Sequence, residues 1–204
     1  MVEKPSNPPL LVLPATAEHW PVIEDFFART PCWCQYWRMS AGDYGRTPKT
    51  KLEGQQSLRK AALRLQLDNP IAPGMIAYMD HQMVGWCGIG LRSTMERLVR
   101  SRTIPAVDTR PVWSVVCFLV QPGYRRKGVA RVLLGAAVEY TRSHGAPALE
   151  GYPVDSSGNR LNPSEVYVGT TALFEQAGFH RVLQTAARSA NRPRWIMRID
   201  FQSE

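Results

Sequence analysis

Three cations in succession, Arg125, Arg126 and Lys127, stand directly before Gly128 and an amphipathic run that begins at Val129. A helix N-terminus carries partial positive charge and disfavours cations, so this order of residues invites a compensating anion. Gly128 and the small Ala130 let a backbone come close to a ligand. The N–H groups of a first helical turn have no intrahelical acceptor. Together these groups suit a phosphate or pyrophosphate. The stretch lacks the spacing of a P-loop and the three glycines of a dinucleotide fingerprint. An ordinary strand-to-helix turn with solvated arginines accounts for the same residues without a ligand.

Cysteine supplies the other reactive groups. Cys32 and Cys34 form a C-x-C pair within CWCQYWR, and His19, His81, Cys87 and Cys117 would be its nearest metal-ligating company. No second C-x-x-C pair exists, so no metal is expected. Cys117 invites a covalent acyl-cysteine route, but no histidine is evidently paired with it, and a cysteine in an apolar strand is usually a small filler.

The elements around these residues follow from periodicity. VWSVVCFLV, 112–120, is nearly all apolar and reads as a central strand buried on both faces. Val129, Val132, Leu133, Ala136, Ala137 and Tyr140 share one helical face, and Gly145 ends that helix after His144. PALEGYPV gives a further strand, a polar insert covers 155–165, and GTTALFEQAGF makes a short helix closed by Gly178. HRVLQT and PRWIMRID make two final strands. Upstream, LLVL at 10–13 is a first strand, and Thr16 caps a helix over 17–30. Residues 30–48 form an irregular connection, and a second helix covers 49–67. Two strands turn at Asp80-His81-Gln82, and 92–111 is a polar excursion. Residues 1–9 are a loose lead. No linker or repeat divides the chain, so one mixed α/β (α+β) domain is expected over 1–204.

The 204 residues carry a formal charge of +8 and a pI near 9.6, with 44% apolar residues. That composition excludes a disordered chain. A basic balance suits an anionic ligand, but the cations are dispersed from Lys4 to Arg198, so no nucleic-acid partner is expected. No apolar run reaches the ~20 residues of a spanning helix, and the first residues make a poor signal peptide. No membrane partner and a cytoplasmic location with reduced cysteines follow as expectations.

VQPGYRRKGVARVLL resembles the acyl-CoA-binding segment of the GNAT superfamily of N-acetyltransferases, where Val-x-Pro precedes Arg/Gln-x-x-Gly-x-Gly/Ala. The matching residues are Val120, Pro122, Arg125, Gly128 and Ala130. LFEQAGF, Leu173 to Phe179, resembles the second signature of that superfamily. The likeness is specific over 112–200, looser over 10–92, and points to an uncharacterised bacterial branch. It implies a single-domain GNAT fold: a twisted, mostly antiparallel sheet of six to seven strands, about four helices, and central strands splayed to admit CoA.

The resemblance further implies acetyl-CoA as acyl donor and a small-molecule or protein amine as acceptor, in a monomer or homodimer. Phe118, Leu119 and Val120 would pair with the pantetheine arm. Arg125, Arg126, Lys127, Gly128, Val129 and Ala130 would hold the pyrophosphate. The Phe118 N–H would meet the thioester carbonyl as charge grows there. Trp33, Tyr36, Trp37 and Arg38 would wall the acceptor pocket, with Arg38 placed to meet a carboxylate. Two positions depart from the family pattern. Ser114 stands where some members carry a basic Glu, and Phe174 stands where many carry an acidic Tyr. Tyr167 and Tyr152 are substitute acids, Tyr167 favoured, and Glu150, Asp155 and Glu165 are candidate bases. These departures keep a non-catalytic acyl-CoA-binding or sensor module as the alternative.

Overall fold

The computed structural model describes residues 9–45, 52–157, 166–189 and 191–201. The leading residues 1–8 and Glu165, one of the candidate bases, lie outside them. Seven strands form one sheet: β1 (Leu11–Pro14), β2 (Gly74–Met79), β3 (Gln82–Leu91), β4 (Trp113–Val120), β5 (Ala148–Gly151), β6 (His180–Ser189) and β7 (Arg192–Asp200). Their order is β1-β2-β3-β4-β5-β7-β6, and only β4 and β5 run parallel.

Among the described residues six helices accompany the sheet: α1 (Trp20–Phe27), α2 (Ala41–Gly45), α3 (Leu52–Gln66), α4 (Glu96–Val99), α5 (Val129–Ser143) and α6 (Thr171–Gln176). The sequence suggested about four. The extra pair are α2 and α4, inside the expected connection and excursion. Each is too short to show a helical period, so local bonds decide them. The Ser40 hydroxyl accepts from the Asp43 N–H at 3.0 Å and donates to the Asp43 carboxylate at 2.7 Å, which caps α2. Thr16 caps a 3-10 turn rather than α1 itself, through a 2.8 Å bond with His19 Nδ1. Among the described residues, no helix is long and apolar enough to cross a membrane.

The apolar face of α5, including Leu133, Leu134 and Ala137, covers one side of the sheet. Ile23 and Phe27 of α1 and Leu63 of α3 cover the other, against Ile76 and Trp86. Truncating a fully buried leucine such as Leu133 to alanine costs about 2–5 kcal/mol in such packing.

The site is set by how β4 leaves β5. Trp113, Ser114 and Val115 pair with Leu149, Glu150 and Gly151, and the ladder stops there. On the other edge, Gly88 faces Cys117 and Ile89 faces Val115, which leaves Val116 as a bulged residue. A bulge bends its strand and raises local twist, so β4 swings away from β5 where pairing ends. Phe174 wedges the gap. A Cβ on Gly151 would lie 2.0 Å from its ring, so only glycine fits beneath it.

Candidate active site

Beyond Val120 the chain makes a 3-10 turn over Pro122–Tyr124 and reaches α5 through two left-handed residues, Arg126 (φ 62°) and Gly128 (φ 83°). The first intrahelical bond runs from the Val132 N–H to the Gly128 carbonyl at 3.1 Å. The N–H groups of Val129, Ala130 and Arg131 therefore precede the helical ladder, and glycine at the cap supplies no side chain to hold them. They open toward a cavity of about 680 Å³ that Arg125, Arg126, Gly128, Val129 and Ala130 help to line. The Arg125 Nε donates to the Val120 carbonyl at 3.2 Å. Lys127 lies outside that lining, its ammonium 5.1 Å from the centre of the Tyr124 ring.

Phe118, Leu119 and Val120 form another wall of the cavity. Leu119 pairs with Trp86 of β3, so its backbone is spent within the sheet. The Phe118 N–H points to the splayed edge and donates to the Tyr167 carbonyl at 2.5 Å. Val166, Tyr167, Gly169, Thr170 and Leu173 close the cavity from that side. Tyr167, Phe118 and the cationic loop are thus brought to one space by strands and turns far apart in sequence.

The Ser114 hydroxyl is fully buried, 2.7 Å from the Tyr152 hydroxyl, which donates to Glu150 at 3.0 Å. Glu150 also accepts from Arg198 Nε at 3.1 Å. This chain is closed and internal, and burial together with the Glu150 charge pushes the Tyr152 phenol up. Asp155 accepts from the Ser157 N–H at 2.8 Å and the Trp195 indole at 3.1 Å. Hydrogen bonding to the Ser157 backbone, above all, holds its carboxyl below the usual range, which suits structure better than proton abstraction. Phe174 is fully buried, edge-on to Phe118 at 6.1 Å and to Phe179 at 4.9 Å. Burial raises the Tyr167 phenol, so it stays protonated at neutral pH.

The aromatic stretch divides. Trp33 stacks on Phe27 at 5.7 Å in the core beside α1. Arg38 Nη2 donates to the Pro73 and Ile89 carbonyls, each at 2.7 Å, beside a separate cavity of about 450 Å³. Tyr36 and Trp37 stay together, ring centres 5.1 Å apart. Trp37 packs in a third core with Val116 and Tyr152, against Cys117. Cys34 accepts from the Trp86 indole at 3.2 Å. The neighbouring Cys34 and burial push the Cys117 thiol well above its ordinary value, so Cys117 keeps its proton. Among the described residues, no three His, Cys, Asp or Glu side chains gather as metal ligands.

One functional candidate went unread. Arg194 is 5% exposed, its Nε donates to the Tyr152 carbonyl at 2.8 Å, and its guanidinium lies 5.2 Å from the centre of the Trp37 ring. In PRWIMRID an arginine alternates with apolar residues as it would on a solvated strand face, so no sequence signal marked it as buried.

Known proteins share this architecture. Residues 34–160 match the family described as acetyltransferase (GNAT). No curated protein matches the chain. An acetyltransferase of the GNAT family from Streptococcus pneumoniae superposes with TM-score 0.54 at 15% identity, covering 95% of this chain and 100% of that one. The polyamine N-acetyltransferase of Drosophila melanogaster, which forms N-acetylagmatine, gives TM-score 0.55 at 12% identity over 95% and 100% of the two chains. The yncA protein of Salmonella typhimurium, solved with its cofactor acetyl-CoA, gives 0.53 at 14% over 96% and 95%. At such identities the likeness carries the fold.

Proposed function

The chain belongs to the GNAT acetyltransferase family, and on that footing we propose that it moves an acetyl group from acetyl-CoA to a primary amine by direct attack in a ternary complex. One observation carries the donor: the uncapped N-terminus of α5, rimmed by Arg125 and Arg126, opens into the cavity beside the splayed edge of β4. Acetyl-CoA, when bound, supplies an activated acyl carbon. Backbone N–H groups of Val129 and Ala130 suit its pyrophosphate, and the edge at Phe118 to Val120 suits its amide-bearing arm. The Phe118 N–H is assigned to the thioester carbonyl. It is held by the Tyr167 carbonyl, so Tyr167 must release it before it serves. The Tyr167 hydroxyl is assigned as the acid that returns a proton to the leaving thiolate. Direct attack is favoured over an acyl-cysteine route because Cys117 remains a thiol.

Calorimetric titration with acetyl-CoA tests the reading. The wild type binds at micromolar Kd, and Gly128→Glu weakens binding at least about tenfold, because it adds a carboxylate and a side chain to a left-handed position at the cradle. Equal binding by both proteins would sink the assignment of the loop.

A further inference from the structure

Arg194 is, among the described residues, a buried cation without an anion. Among the described residues no carboxylate lies within salt-bridge distance of it, and its Nη2 has no hydrogen-bond partner. The Trp37 indole N–H, also buried, has none either. Both lie near the Tyr167 phenol, with no hydrogen bond to it among the described contacts. Two unfilled donors at one place are costly, because each forfeits its water on burial. The Tyr152 carbonyl and the π-face of Trp37 offset part of the charge. They leave the buried Nη2 of the guanidinium unsatisfied. Arginine remains protonated in such a place, and burial lowers its proton affinity below the ordinary value.

We propose that Arg194 and Trp37 receive a carboxylate of the acceptor, so that the substrates are amines that also carry an acid, of amino-acid type. The unpartnered Nη2 of Arg194 and the single donor of Trp37 match the two oxygens of one carboxylate. Tyr167 faces these donors and also lines the large cavity, so it is the wall between them. For the acceptor to be held so, the Tyr167 side chain must turn aside, which would join the donors to the cavity beside Phe118. The half-exposed ring of Tyr36, edge-on to Trp37, leaves an apolar flank for the rest of the acceptor. Arg38 is engaged by two carbonyls at the other cavity and takes no part.

This inference rests on the acetyl-transfer reading, and the experiment separates the two. Thiol release from acetyl-CoA is followed with α-, β- and γ-amino acids, each paired with its carboxamide. At least one free acid is acetylated with kcat/KM tenfold or more above its amide. Arg194→Met and the milder Trp37→Phe each bring that ratio toward one, chiefly through KM, while calorimetry gives the wild-type Kd for acetyl-CoA. Amides accepted as well as acids, or no acid accepted by protein that binds acetyl-CoA, would overturn the carboxylate site alone. So would an acid preference that survives both substitutions. Absence of acetyl-CoA binding in the wild type would overturn the transfer reading and this inference with it.

Discussion

Tyr167 is the residue to which the proposed chemistry assigns the most. Tyr167 gives its carbonyl to the Phe118 N–H and its ring to the space before Arg194 and Trp37. Burial raises its phenol above the ordinary value of 10.0. An acid must hold its proton to donate it, so a raised pKa extends the working range upward rather than downward. Tyr167→Phe is expected to lower kcat about tenfold or more while leaving the Kd for acetyl-CoA unchanged. In the wild type the alkaline fall in kcat due to this group lies above the ordinary tyrosine range, and stopped-time assays across pH check both statements. A kcat unaltered by the substitution at every pH would remove Tyr167 from the chemistry.

At the scale of elements, the splay between β4 and β5 is held open by parts that look unrelated in sequence. The bulge at Val116 bends β4, Phe174 of α6 fills the space above Gly151, and Glu150 of β5 ties to Arg198 of β7. Glu150 is 1% exposed and Arg198 3%, so this pair is shielded from water. Removing one charge from a buried pair leaves the other uncompensated, at a cost of about 3 kcal/mol. Asp108, 2.6 Å from Arg198 Nη1, shares that cation and softens the loss. Glu150→Gln should therefore lower the urea midpoint by an amount matching roughly 2–3 kcal/mol at pH 7. A midpoint within error of the wild type would show that the carboxylate is not structural and return it to the list of bases.

For the whole molecule, a charge of +8 surrounds a cavity whose mouth carries exposed Arg125 and Arg126. Exposed charges are screened over about 10 Å at 0.1 M salt. Raising sodium chloride from about 0.05 to 0.5 M is thus expected to weaken acetyl-CoA binding several-fold, and Arg126→Glu to flatten that dependence. Salt-independent binding would assign the affinity to the backbone cradle and the apolar lining of the cavity instead.

The sequence by itself determined the order of the strands and of the longer helices, the central strand and helix, and the family, because apolar period, glycine punctuation and the VQPGYRRKGVA and LFEQAGF motifs are local properties. It also placed the cationic loop against the start of α5. Tertiary structure alone decided which side chains meet. It split CWCQYWR between two cores, sent Arg38 to the Pro73 and Ile89 carbonyls, and tied Ser114, Tyr152 and Glu150 into one internal chain. It also buried Arg194, which a strand period assigns to solvent. The reason is physical: periodicity reports which face of an element is apolar, whereas partners across a splayed sheet depend on a one-residue bulge and on loops that return from distant sequence.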